Sequence, residues 1–290
     1  MGPQSLTSIL QHKLATRDYL EHHKLSVYLE DVLIKLLEDR PEKPMNYLYD
    51  YFESVRLGTN ILLRDFEYVK ATTRNRISFA HLLESILNSK ADRHTALELH
   101  QLAELICTDF PGEIVERAAE IASYSLGLCI PDLWHHPSMQ PDKQTVQLPI
   151  PEFIKVFRTY FSFLEFFEMC EEILRDTLST FHQNNLMAGR QHVNSDDVFT
   201  VEDISILEDI YVDYLKRRLC RLEGFSVLVL PHELAVDIVH RAFQTERAAR
   251  VPSYSSASII YFQLTREIVD SHTVQALMER AVPIAALTHR

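Results

Sequence analysis

Six glycines in 290 residues restrict this chain more than any other feature. A typical protein carries about 7% glycine. Glycine supplies the positive-φ turns of tight hairpins and the backbone cradles for phosphates. A chain so short of it is poor in both, and its apolar residues recur at helical spacing. The sequence therefore predicts an all-α protein. With 46% hydrophobic and 24% charged residues it is globular in composition and long enough to bury a core without staples.

From Leu20 to Asp39, the residues Leu25, Tyr28, Leu29, Val32, Leu33, Leu36 and Leu37 fall on one helical face. Glu30, Asp31, Lys35 and Glu38 fall on the other side. Pro41 stops that helix, and Pro44 suits the first turn of the next. Met45, Leu48, Tyr51, Phe52 and Val55 then line a second face, with Gly58 as its C-cap. Helical patterns continue over 60–70, 74–88, 94–107, 113–124 and, as one aromatic-rich helix, 152–178. An irregular stretch, 127–151, ends in a short extended piece at 146–150. Further helices are expected near 201–219, 232–243 and 256–269, with a weaker tail at 271–290. The resulting division is a hairpin at 19–57, a helical core at 58–180 with helix pairs of EF-hand-like outline, a linker at 181–200 and a C-terminal helical region at 201–280.

The net charge of −12 disfavours nucleic acid and anionic membranes as partners. Charge is uneven, however. Residues 140–215 hold five basic and fourteen acidic side chains, net −9, whereas 216–290 hold ten and seven, net +3. Lys216, Arg217, Arg218 and Arg221 open the basic half and are candidates for contact with an acidic partner. Cys107, Cys129, Cys170 and Cys220 form no CxxC pair and read as reduced thiols. The first residues lack an apolar core behind a basic start, and no apolar run approaches about 18 residues. The expected compartment is the cytoplasm.

Catalytic signals are missing. The sequence has no GxxxxGK[ST] loop, no dinucleotide fingerprint and no Asp-x-Asp-x-Asp-Gly calcium loop. His232-Glu233 is followed by Val236 where a second zinc-binding histidine is required. His22-His23 and His135-His136 are adjacent pairs, splayed by about 100° on a helix. No catalytic residue, metal ligand or cofactor site is expected. The aromatic run Phe153–Phe167 reads as core, and paired carboxylates such as Glu171-Glu172 read as solvated faces.

The hairpin is the exception. Its run from Tyr28 to Pro41, followed by Pro44, Tyr47, Leu48, Tyr51 and Phe52, resembles the docking-and-dimerisation domain of the protein kinase A type II regulatory subunit. In that superfamily two hairpins pair as an X-shaped bundle whose groove takes an amphipathic helix. The candidate docking residues are Leu25, Leu29, Val32, Leu33, Leu36, Leu48, Tyr51 and Phe52.

A wider resemblance runs through Gly58-Thr59, Ile61-Leu62, Arg64, Phe66, Val69, Asn75-Arg76 and Ser78-Phe79. It continues through Leu105, Cys107, Asp109-Phe110-Pro111, Glu113 and Ala118-Ala119. Over about residues 19–180 the chain is similar to the centriolar satellite-associated tubulin polyglutamylase complex regulators. The resemblance implies a non-catalytic regulator that binds the polyglutamylase complex and microtubules. It places the protein at the cytoskeleton, the centriolar satellites and the ciliary base. It also implies homo- or heterodimerisation through residues 20–57. The alternatives are a structural subunit of the polyglutamylase complex itself, which carries a related hairpin, and a general ciliary or axonemal anchoring adaptor. Vertebrate members carry a polar C-terminal tail, whereas this sequence ends at Arg290.

Overall fold

The computed structural model describes residues 19–20, 24–88, 93–128, 146–187, 199–222, 230–248 and 257–281. His22-His23, Cys129, Trp134-His135-His136 and most of the expected linker lie outside them. The fold is all-α, as expected, with four two-residue β segments. Helix α1 spans Leu25–Asp39 and α2 spans Pro44–Leu57. The α2 C-cap is Gly58 at φ 73°, a conformation that glycine adopts without cost.

The expected helix over 60–70 is shorter than predicted. Residues 61–63 form a turn, Arg64–Asp65 form β1, and only Phe66–Lys70 are helical, as α3. Asp65 stops helix from extending backwards: its carboxylate accepts the Tyr68 N–H as an N-cap. Helix α4 (Thr73–Leu87) is capped by Thr72 in the same way. After β2 (Arg93–His94), α5 (Ala96–Ile106) begins with a full Thr95–Glu98 capping box. β3 (Cys107–Thr108) leads into α6 (Gly112–Ser125). β1 pairs with β3 in parallel, and β2 pairs antiparallel with β4 (Leu148–Pro149). The extended piece expected at 146–150 is thus a two-residue strand that runs straight into helix.

The aromatic helix is two helices. α7 spans Ile150–Ser162 and α8 spans Leu164–Met187, with a break at Phe163. The Thr159 hydroxyl donates back to the Lys155 carbonyl, a pattern that bends helices. The two halves also serve different partners. α7 packs on α4 and α6, and α8 packs on the helix that follows it. Because α8 runs to Met187, the segment 181–187 is helix where linker was expected.

Beyond it lie α9 (Val201–Leu222), α10 (His232–Ala248), α11 (Ala257–Asp270) and α12 (His272–Ala281). α9 packs between α8 and α10, and α11 folds back from α10 onto α6, α7 and α8. Buried Glu208 of α9 takes both Arg247 (2.8 Å) and His240 (2.6 Å) of α10. The weak tail contains an ordered helix: the Gln275 amide donates to the Thr159 hydroxyl (2.9 Å) and the Val269 carbonyl (3.0 Å).

Phenylalanines fill the centre. Phe79 stacks on Phe110 with centroids 4.9 Å apart, and Phe161 meets both rings at 5.9 and 5.6 Å. Phe66 and Phe157 complete the group against Phe110, at 5.3 and 6.1 Å. Phe110 sits between α6 and the strand pair, so its ring joins elements far apart in sequence. Replacing Phe110 with Ala should cost about 3–5 kcal/mol. Urea denaturation should show a lower midpoint at unchanged slope.

Candidate functional site

The hairpin is bound to its own chain along one side. Tyr28 reaches out of α1 to the Thr72 hydroxyl (2.8 Å) and donates to Asn75 Oδ1 (2.9 Å). Tyr51 of α2 donates to Asp31 Oδ2 (2.6 Å) and lies 3.1 Å from the Tyr68 hydroxyl, which Asn60 also meets. Arg64 closes the network with a two-pronged bond to Asp31, at 2.6 and 2.8 Å, while its guanidinium covers the Tyr68 ring. One carboxylate on α1 therefore binds α2 and β1 together. Val32 and Val55 are buried beside it.

Burial pushes the Tyr28 hydroxyl up to about 12, against some relief from its bond to Thr72. Tyr51 is raised well above its ordinary value, first by burial and then by its bond to the Asp31 carboxylate. Both hydroxyls are held neutral by the folded state.

Part of what remains outside is apolar. Leu29, Leu33 and Leu37 repeat at i, i+4, i+8 on α1, exposed at 40%, 54% and 72%, with Ile34 beside them at 57%. On α2, Met45, Tyr49 and Phe52 are exposed at 75%, 70% and 40%. Each helix thus carries one exposed apolar stripe on a flank that the described residues leave uncovered. Large side chains in this state mark an interaction surface.

The eight candidate docking residues divide accordingly. Leu29, Leu33 and Phe52 lie in the exposed stripes. Leu25, Leu36 and Leu48 are half-buried at the stripe margins. Val32 and Tyr51 are buried against their own chain. Periodicity identifies the apolar arc of a helix but not which part of it the same chain covers. It therefore passes over Ile34 and Tyr49, whose exposure only the packing reveals. Their position beside the leucine and methionine stripes was the available signal.

Two members of the basic cluster pair within the chain. Arg218 bridges from α9 to Glu172 and Asp176 of α8, each at 3.2 Å, and Arg217 meets Asp213 of its own helix at 2.6 Å. The acidic partner of these two arginines is their own chain. Lys216 is exposed on α9, and the Arg221 side chain lies outside those described. A shallow cavity of 220 Å³ lies against Asp176, Tyr214, Arg217 and Arg218. Among the described residues, no cluster of three or more His, Cys, Asp or Glu is placed to hold a metal ion. No described helix is long and apolar enough to cross a membrane.

Comparison with known proteins agrees with the resemblance read from the sequence. Residues 13–58, which contain the hairpin, match the CSTPP1 N-terminal domain. The chain is similar to centriolar satellite-associated tubulin polyglutamylase complex regulator 1 of several vertebrates. The Mus musculus and Homo sapiens proteins are each 29% identical over 177 residues, 59% of this chain and 49% of theirs. The Danio rerio protein is 29% identical over 181 residues, 60% of this chain and 50% of its own. The aligned part thus spans about half the length of these curated relatives. No solved structure matches the chain.

Replacing Arg64 with Ala should free the hairpin, because it leaves Asp31 with a single partner in a mostly buried setting. The expected cost is about 1–3 kcal/mol. Hydrogen exchange should accelerate in α1 and α2 and stay unchanged in α4 and α7. Alkali should act at the same place. Tyr28 adds stability that is complete below its ordinary value of 10 and is lost as pH rises towards about 12. The stability difference between wild type and Tyr28→Phe should therefore narrow across that window.

Proposed function

We propose that this chain is a non-catalytic regulatory scaffold of the tubulin polyglutamylase complex. It docks through the exposed flanks of the α1–α2 hairpin, which pair with a like hairpin, either a second copy or one on a subunit of the complex. The observation that carries this reading is the set of seven exposed apolar side chains on α1 and α2, inside the matched N-terminal residues. Burying each contributes ~1.5–3 kcal/mol before ordering costs. Helix-on-helix docking is the mode that apolar stripes at this spacing serve.

The name of the relatives suggests the partner and the place: the polyglutamylase complex and the centriolar satellites. In this reading the glutamylation chemistry belongs to another subunit, consistent with the sequence's lack of glycine-rich phosphate loops. The cytoskeleton, microtubules and the ciliary base are the settings in which such a scaffold acts, and exposed Lys216 is a contact for acidic tubulin surfaces.

Leu33→Glu with Leu37→Glu tests the hairpin in the full chain, because Tyr28 and Tyr51 anchor it to the body. Both leucines are more than half exposed, so the fold should keep its melting temperature. Recovery of polyglutamylase subunits by the affinity-tagged double variant should fall at least about tenfold. Recovery at the wild-type level would remove the hairpin as the docking element.

A further inference from the structure

A second apolar surface lies outside the hairpin, around the β1–β3 pair. Among the described residues, four non-glycine positions adopt left-handed backbone, and two of them flank this pair: Leu63 at φ 58° before β1 and Asp109 at φ 58° after β3. Aspartate tolerates this region through its short polar side chain. For leucine it costs about 1–2 kcal/mol. Burial does not offset that cost, because Leu63 is 70% exposed. The strained backbone holds a leucine out into water.

The neighbours are of the same kind. The Leu63 N–H donates to the Ile106 carbonyl at 2.9 Å. Because β1 and β3 run in parallel, with Arg64 beside Cys107, Leu62 just before β1 and Leu105 just before β3 lie at the same end of the pair. Leu62 is 54% exposed and Leu105 69%. Carboxylates surround this patch. Asp65, Glu104 and Asp109 are all exposed, Glu104 lying 3.7 Å from His100. Asp65 and Asp109 are close enough to add to the burial that raises the Cys107 thiol to about 12. The guanidinium of Arg64, a residue of the pair itself, is taken up by its bond with Asp31.

We propose that Leu62, Leu63 and Leu105 form a docking patch for a basic amphipathic helix of a partner protein. Its apolar face sits on the three leucines, and its lysines or arginines meet Asp65, Glu104 and Asp109. A second copy of this chain, with its net charge of −12, brings the wrong sign to this rim.

The test uses the full chain and a fluorescent synthetic helical peptide of leucine and lysine at i, i+3, i+4 spacing, with a leucine–glutamate peptide as control. Leu63→Gly is the decisive variant, because glycine keeps the left-handed backbone while removing both the strain and the anchor. The variant should melt at a higher temperature than wild type, yet bind the lysine peptide about tenfold more weakly. Leu37→Gln on the hairpin should leave that affinity unchanged, and added salt should weaken wild-type binding. Equal binding by Leu63→Gly, or a lower melting temperature for it, would overturn the proposal. An equal loss with Leu37→Gln would move the peptide to the hairpin and overturn it too. Tighter binding after removal of residues 1–18 would make the chain's own N-terminal segment the occupant, a third result against it.

Discussion

The Asp31 carboxylate ties down the part of the molecule that faces partners. It accepts from Tyr51 of the second helix and from both prongs of Arg64 beyond it. Such charge-assisted bonds contribute about 1.5–3 kcal/mol each and tolerate little angular error. Both hairpin helices have apolar arcs too wide for one partner surface, so hydrophobic burial alone leaves their rotation underdetermined. The polar network removes that freedom. It turns Tyr28, Val32, Tyr51 and Val55 inward and leaves Leu33, Leu37, Met45 and Tyr49 outside.

Behind the hairpin, the phenylalanine group around Phe110 gives the network a rigid base. Thr72 and Asn75, which receive Tyr28, lie at the start of α4, the helix that also carries Phe79 into that group. The break at Phe163 lets one long apolar stretch serve both this centre and the C-terminal helices. The latter close back through α11 onto α6 and α7 and through Gln275 onto Thr159. A chain that acts by contact, as proposed, needs surfaces held in fixed relation, and these packing choices supply that.

Much of this was legible in the residues. The 3.6-residue apolar spacing, the prolines at 41 and 44 and Gly58 set the end of α1, the turn and α2 nearly to the residue, whereas α1 begins at Leu25 rather than near Leu20. The resemblance pointed to the same hairpin that the family comparison matched. Elsewhere local pattern misled. Ile61, Leu62, Leu63 and Phe66 share a helical rhythm, yet the Asp65 cap and the pairing with β3 break it. Glu152 to Leu178 reads as one helix, yet the two halves pack on different neighbours. Arg217 and Arg218 are candidates for contact with an acidic partner, and local pattern gives no sign that carboxylates of the same chain also reach them.

The sequence by itself determined the helical class, the hairpin and the absence of familiar phosphate-binding and zinc motifs. Those follow from glycine content, apolar period and residue type, which are local properties. Only the tertiary structure decided which apolar residues are core and which are surface. Tyr51 and Tyr49 are two residues apart on one helix. One is buried with its hydroxyl on Asp31, and the other is 70% exposed. That division depends on Arg64, Tyr68 and Asn75 arriving from later in the chain, and long-range packing of this kind leaves no periodic trace in the sequence.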